Sequence, residues 1–177
     1  MMRLWACAMM MVVGSAMAGS AQVIERFDTG ANERWRYIGD NVMGGVSSGS
    51  AQIGADGMHL TGTVSTDNNG GFIQVRRDFA DGLAADATAL VLKVRGNGAR
   101  YTVFLRTRQA ILPWHNYKAT FVAGQAWSEV RLELSGFERS AGVLSKQLDP
   151  SDVRSVGLAA YGADYEADVW IGELRVE

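Results

Sequence analysis

Cysteine occurs once in the 177 residues, and proline and histidine twice each. The cysteine, Cys7, stands in the first short stretch, which reads as a secretory leader. Met1-Met2-Arg3 supplies a positive start, Leu4 to Val13 an uncharged apolar run, and Ala16-Met17-Ala18 an A-x-A processing pattern. Cleavage is expected after Ala18, which makes the mature protein periplasmic or secreted. A membrane anchor is the competing reading, but the run is about half the ~20 apolar residues needed to span a bilayer. Lipid attachment at Cys7 is disfavoured because too little apolar sequence precedes it. Cleavage leaves residues 19–177 as a single domain, without a cysteine and therefore without disulfide or thiol chemistry.

Other absences narrow the function. No long apolar segment follows residue 18, so no transmembrane segment is expected in the mature chain. The formal charge is −2, moving to −3 when Arg3 is lost, and no Lys/Arg run exists. That balance argues against nucleic acid and anionic membrane surfaces as partners. Two histidines far apart and no mature cysteine leave zinc without a ligand set. No cofactor is implied. A structural calcium on Asp67-Asn68-Asn69 or Asp164-Tyr165-Glu166-Ala167-Asp168 stays open, although such acidic turns are more often simply solvated.

What the chain does have is glycine, 21 copies, and alternation of period two. Tyr101, Val103 and Leu105 alternate with Thr102, Phe104, Arg106 and Arg108. Val130, Leu132 and Leu134 alternate with Glu129, Arg131 and Glu133. Ala167, Val169 and Ile171 open a long closing strand that runs to Val176. Further strands are expected at Val23–Phe27, Trp35–Ile38, His59–Val64, Gly71–Phe79, Ala89–Arg95, Tyr117–Val122 and Ser155–Tyr161. Gly96-Asn97-Gly98 predicts a hairpin between Val94 and Arg100. Asp149-Pro150-Ser151-Asp152 predicts one capped turn. No amphipathic helix of ten residues is evident. Ten or so short strands in one domain predict an all-β fold, a β-sandwich or jelly roll.

Several motifs invite chemistry. Gly45-Val46-Ser47-Ser48-Gly49 matches G-x-S-x-G, but no helix follows it and no βα repeats surround it, so a Gly/Ser turn is the better reading. Gly96-Asn97-Gly98 lacks the third glycine of a dinucleotide loop and leads into a strand. The acids are numerous, yet nothing places two across a cleft as a glycosidase requires. The informative set is polar and aromatic. Arg76 and Arg106 lie on presumed strands, and Ile111-Leu112-Pro113-Trp114-His115-Asn116-Tyr117 gathers two aromatics, a histidine and an amide. Planar apolar faces beside planar hydrogen-bonding groups suit sugars or extended peptides. The plainer alternative is that Trp114 and Tyr117 plug the end of the sandwich while the arginines pair with surface acids.

Trp35-Arg36-Tyr37-Ile38-Gly39-Asp40-Asn41-Val42-Met43-Gly44-Gly45-Val46-Ser47 resembles the "W…D-x-V-M-G-G-x-S" hallmark of the complex I intermediate-associated protein 30 family. Gly70-Gly71-Phe72 with Arg76, the Gly96–Arg106 block, Trp114-His115-Asn116-Tyr117 with Phe121, Ser155-Val156-Gly157-Leu158 and Trp170-Ile171-Gly172-Glu173-Leu174 resemble its later blocks, about residues 22–176 in all. Where that family carries Asp-Lys-x-x-Gly-Pro-Phe, this chain reads Tyr161-Gly162-Ala163-Asp164-Tyr165. The resemblance implies a galactose-binding-like jelly roll and a chaperone-like role in assembling a respiratory complex. Read physically, Asp40-Asn41 closes a turn onto nearby amides, Gly44-Gly45 permits close approach and Met43 is an apolar plug.

The chain is therefore expected to be a non-enzymatic binding or assembly module with a protein or carbohydrate partner. Asp40, Asn41, Arg76, Arg106, Trp114 and Tyr117 are its candidate ligand contacts. An assembly factor for a respiratory-type membrane complex and an enzyme of unrecognised type are the alternatives.

Overall fold

Residues whose side chains alternate between apolar and polar can bury one face of a strand and leave the other in water. The computed structural model, which describes residues 21–177, is built almost wholly from such strands. The expected leader over 1–18 lies outside the described residues. In chain order the strands are β1 (Gln22–Glu25), β2 (Trp35–Gly39), β3 (Ser48–Gly54), β4 (Gly57–Val64), β5 (Phe72–Asp78), β6 (Ala89–Gly96), β7 (Arg100–Thr107), β8 (Tyr117–Val122), β9 (Ser128–Glu133), β10 (Glu138–Arg139), β11 (Val153–Tyr161) and β12 (Tyr165–Val176). The α-helix among the described residues is the single turn α1 (Ala31–Arg34).

Two six-stranded antiparallel sheets result. The first runs β3-β4-β12-β6-β9, with β1 added beside the end of β12; the second runs β10-β8-β7-β11-β5-β2. Their inner faces share one core. Met58 and Leu60 of β4, Leu90, Leu92 and Val94 of β6, and Val169 and Ile171 of β12 meet Ile73 and Val75 of β5, Tyr101, Val103 and Leu105 of β7, and Val156, Leu158 and Ala160 of β11. In β12 the inward set changes parity, from Val169 and Ile171 to Leu174 and Val176. A β-bulge between Ile171 and Glu173 in the pairing with β6 inserts the extra residue that keeps both halves facing the core.

The expected strands are all present, and Asp149 caps the turn Pro150–Asp152 by accepting from the Ser151 amide at 2.9 Å. Two expectations fail. Gly96-Asn97-Gly98 does not close a hairpin, because β6 belongs to the first sheet and β7 to the second. Its polar groups bond elsewhere: Gly98 N–H to Ala123 O, and Asn97 Nδ2 to Glu166 O. The Gly/Ser stretch after Gly45 is more than a turn. From Ser48 it becomes the edge strand β3, paired to β4 from Ser48↔Thr63 to Gly54↔Gly57. Its apolar alternation is short, Ala51 and Ile53 only, and both are just partly buried against the core, so the ladder carries much of its attachment.

Candidate functional site

The chain leaves β2 at Gly39 and makes a 3-10 turn over Asp40–Met43. Asp40 is fully buried and its carboxylate accepts four hydrogen bonds: from Ser47 N–H (3.0 Å) and Oγ, from Gly71 N–H (2.6 Å) and from Phe72 N–H (3.2 Å). Burial alone would raise its pKa. The hydroxyl of Ser47 and the amides of Gly71, Phe72 and Ser47 outweigh that and hold it below the ordinary carboxylate range. The glycines around it are steric necessities. A Cβ on Gly45 would stand 2.4 Å from Asp40 Cγ, and one on Gly70 would stand 2.5 Å from Oδ2. Ser47 Oγ in turn accepts from Ser65 N–H at 3.0 Å. The hydroxyl of the G-x-S-x-G segment is thus a buried strut, not a nucleophile on an elbow.

The outer face of the second sheet is built differently. Register places Arg36, Arg76, Gly157, Phe104 and Lys118 in one row across β2, β5, β11, β7 and β8. Gln74, Ala159, Thr102 and Thr120 form the next row, and Asp78, Ser155 and Arg106 the one on the other side. Between these rows the central strand β11 carries only the small residues Ser155, Gly157 and Ala159 outward, with Tyr161 following at its end, and taller neighbours stand on both flanks. Phe104 packs edge-on against Tyr161, ring centres 5.3 Å apart and planes at 89°. Tyr161 is half exposed.

Charge on this face is uneven. Arg36 pairs with Asp78 at 2.6 Å, and Arg76 Nε lies 3.4 Å from the same carboxylate. That contact lacks hydrogen-bond geometry, and the buried Nε has no hydrogen-bond partner among the described residues. Burial lowers the Arg76 pKa, and repulsion from Arg36 and Arg106 adds to it against the pull of Asp78.

Arg106 holds the neighbouring loop. Its guanidinium donates to the carbonyls of Ala110 (2.7 Å), Leu112 (2.9 Å) and His115 (3.3 Å). Ser140 Oγ and Asn116 Nδ2 both donate to Trp114 O at 2.9 Å. The loop so fixed presents Ile111, Leu112 and Trp114 to solvent beside the Arg106 end of the face, Trp114 at 62% exposure.

The six candidate residues therefore divide. Arg76 and Arg106 share one face and Trp114 flanks it. Tyr117 does not join them: it points inward, is buried, and donates its hydroxyl to Ser145 O at 2.9 Å. Asp40 is likewise unavailable to a ligand, and lies beyond Phe72, about 13 Å along β5 from Arg76 at the usual strand rise. The turn itself closes onto nearby amides, Gly44 N–H to Asn41 O and Gly45 N–H to Asp40 O, while the Asp40 side chain reaches donors 7 to 32 positions away. Asn41 is exposed on the Asp40 turn, at the end of the sandwich away from Arg106. Met43 is no plug. With Asp40 as the buried residue of the turn, Val42 and Met43 face outward, 71% and 67% exposed, beside Val46.

Gln74, Phe104 and Tyr161 are the site residues that residue types alone did not single out. The alternation around Phe104 was a usable signal, since it puts Phe104 and Arg106 on one face.

A family model for complex I intermediate-associated protein 30 matches residues 26–169. The chain belongs to that family. Its hallmark Asp-Asn-Val-Met-Gly-Gly segment is thus the strapped turn described above. Among solved structures, one similar to this chain is the family 11 carbohydrate-binding module from Clostridium thermocellum in complex with a β-1,3-1,4-mixed-linked tetrasaccharide. It is 15% identical with a TM-score of 0.72, over 90% of this chain and 96% of that one. The family 11 module of the cellulosomal cellulase Lic26A-Cel5E of the same organism is 14% identical, with a TM-score of 0.70 over 90% and 95%. An agarase is 8% identical, with a TM-score of 0.63 over 90% of this chain and 24% of its own. These likenesses place the complex I intermediate-associated protein 30 chain among galactose-binding-like β-sandwiches. No match was found among curated proteins.

The rest of the surface offers this family member less. On the outer face of the first sheet, Trp170 stacks on His59 (4.0 Å, 12°) and has Arg95 4.9 Å from its ring centre; Arg95 and Lys93 lie over Trp127. Those aromatic surfaces are already covered by the protein's own side chains. A cleft of about 390 Å³ between β8 and β9 is lined by Lys118, Arg131, Glu133 and Glu138 without an aromatic residue. No group of three or more His, Cys, Asp or Glu side chains among the described residues is placed to hold a metal ion. Asp164, a calcium candidate, accepts from Thr66 N–H and Oγ1 instead.

Proposed function

We propose that this chain is a non-catalytic binding module and that the outer face of its second sheet takes a carbohydrate. The observation that carries the reading is the row Arg76–Gly157–Phe104. It sets a planar guanidinium and a planar ring on either side of Gly157, on a stretch of β11 that carries only small outward side chains before Tyr161, with Gln74 adjoining and Trp114 at the margin. Sugars present apolar C–H faces and hydroxyl edges, and this face offers a partner for each. The tetrasaccharide bound by the similar family 11 module supports the reading. The leader supports a periplasmic or secreted location. A glycan array tests the idea. The protein is expected to bind at least one glycan, with Phe104→Ala and Trp114→Ala weakening binding about tenfold or more while the melting temperature holds. A blank array, or binding indifferent to both changes, counts against it.

A second reading has its own observation. Val42, Met43 and Val46 form an exposed apolar edge on a turn that Asp40 makes rigid. Such an edge suits a protein partner, including a subunit of a membrane complex under assembly. Pull-down from detergent-solubilised membranes with wild type and Met43→Asp tests it: recovery of membrane-complex subunits by the wild type alone supports assembly, and their absence removes it.

A further inference from the structure

Three guanidiniums lie on the second sheet's outer face, Arg36 beside Arg76 and Arg106 across β11 from it, and the carboxylate among them, Asp78, pairs with Arg36 and lies 3.4 Å from Arg76 Nε. Arg106 is held by backbone carbonyls, which satisfy its N–H groups without cancelling its charge. Lys118 adds no excess, because Glu138 stands directly across from it on β10. The surplus is therefore concentrated at Arg76. That side chain is 22% exposed, lies between the other two, and has a buried Nε that meets no acceptor with hydrogen-bond geometry among the described residues. Burying a charge beside two like charges is unfavourable unless an anion joins them. A folded chain of net charge −2 that keeps this arrangement on an open face, next to aromatic rings, presents a receptor for a negative group.

We infer that the saccharide taken by this face is anionic, with a carboxylate or sulfate group seated against Arg76 between Arg36 and Arg106. The inference rests on the carbohydrate reading and narrows it. A guanidinium meets either anion with paired, charge-assisted hydrogen bonds. Phe104 and Tyr161 meanwhile contact the sugar ring that bears it. A nucleic acid would supply phosphates too, but it would meet a molecule of overall negative charge.

Binding of the whole chain to polygalacturonate, dextran sulfate and neutral dextran, at low and at physiological salt, separates the possibilities. One or both acidic polymers are expected to bind and dextran not, with at least a fivefold loss on raising the salt. The acid that binds identifies carboxylate or sulfate as the group. Arg76→Gln is expected to weaken acidic binding at least tenfold, and Arg76→Lys, which keeps the charge but loses the fork, to weaken it less. Binding of neutral dextran or other neutral glycans alone, insensitive to salt and to Arg76→Gln, would overturn the anionic assignment and leave the carbohydrate reading standing. Failure to bind any glycan would overturn both. Equal binding to a duplex oligonucleotide would overturn the choice of saccharide.

Discussion

A single buried carboxylate explains the most conspicuous stretch of this sequence. Asp40 accepts from Ser47, Gly71 and Phe72 at once, so its removal would strand several buried donors. Each stranded donor costs about 1–3 kcal/mol. Asp40→Ala is therefore expected to lower the unfolding free energy by ~3–5 kcal/mol, read from urea denaturation followed by tryptophan fluorescence. Gly45→Ala drives a methyl into the same carboxyl group and is expected to cost a comparable amount. Tyr117→Phe removes one hydroxyl bond to Ser145 O and should cost only about 1 kcal/mol, leaving glycan binding unchanged. The composition of the turn was legible in the sequence, but its purpose was not. The acceptor and its main donors lie 7, 31 and 32 positions apart, and nothing local says that an aspartate faces inward.

At the scale of strands and loops, alternation carried most of the information. The residues of β7 declare their two faces outright, and the outward pair Phe104 and Arg106 proved part of the candidate site. β3 was hard to read as a strand because its first half is Ser and Gly and only Ala51 and Ile53 are partly buried, too short a pattern to stand out. The Gly-Asn-Gly connection marked a turn correctly but could not say whether the chain returns along the same sheet or crosses to the other. Pairing partners decide that, and they are remote in sequence. The loop from Arg108 to Asn116 has its largest set of side-chain anchors from Arg106, with Ser140 and Asn116 fixing Trp114 O and Gln109 meeting Ser145. Arg106→Ala should free three carbonyls and loosen the loop, giving faster proteolysis within 109–115 and weaker binding through Trp114. The strands, held by their own ladders, should persist, so far-ultraviolet circular dichroism should barely change.

For the molecule as a whole, the question is what keeps two sheets in register without a disulfide in residues 21–177. Besides the shared core, a second buried acid contributes. Glu25 of β1, in the first sheet, accepts from Arg34 and Trp35 and pairs with Arg77 of β5, in the second. Burial pushes this carboxyl up, but the bonds from Arg34, Phe27 N–H and Trp35 prevail and lower it from 4.5 to about 2. A carboxylate whose folded pKa is depressed gives its full stabilisation above the unfolded value and loses it as acid is added. Stability should therefore hold steady down to about pH 4.5 and fall away towards pH 2. The part due to Glu25 amounts to about 3 kcal/mol at 1.36 kcal/mol per unit. Glu25→Gln should be less stable at neutral pH and show a flatter profile in that acidic window, measured by melting temperature across pH.

The way Arg106 secures its loop has an evolutionary corollary. It grips main-chain oxygens, and those are the same whatever side chains the loop carries. Mutation can therefore rewrite the exposed positions Ile111 and Leu112 without disturbing the attachment. One arginine on a scaffold strand would let related chains exchange the surface they show to a ligand while inheriting the same mounting.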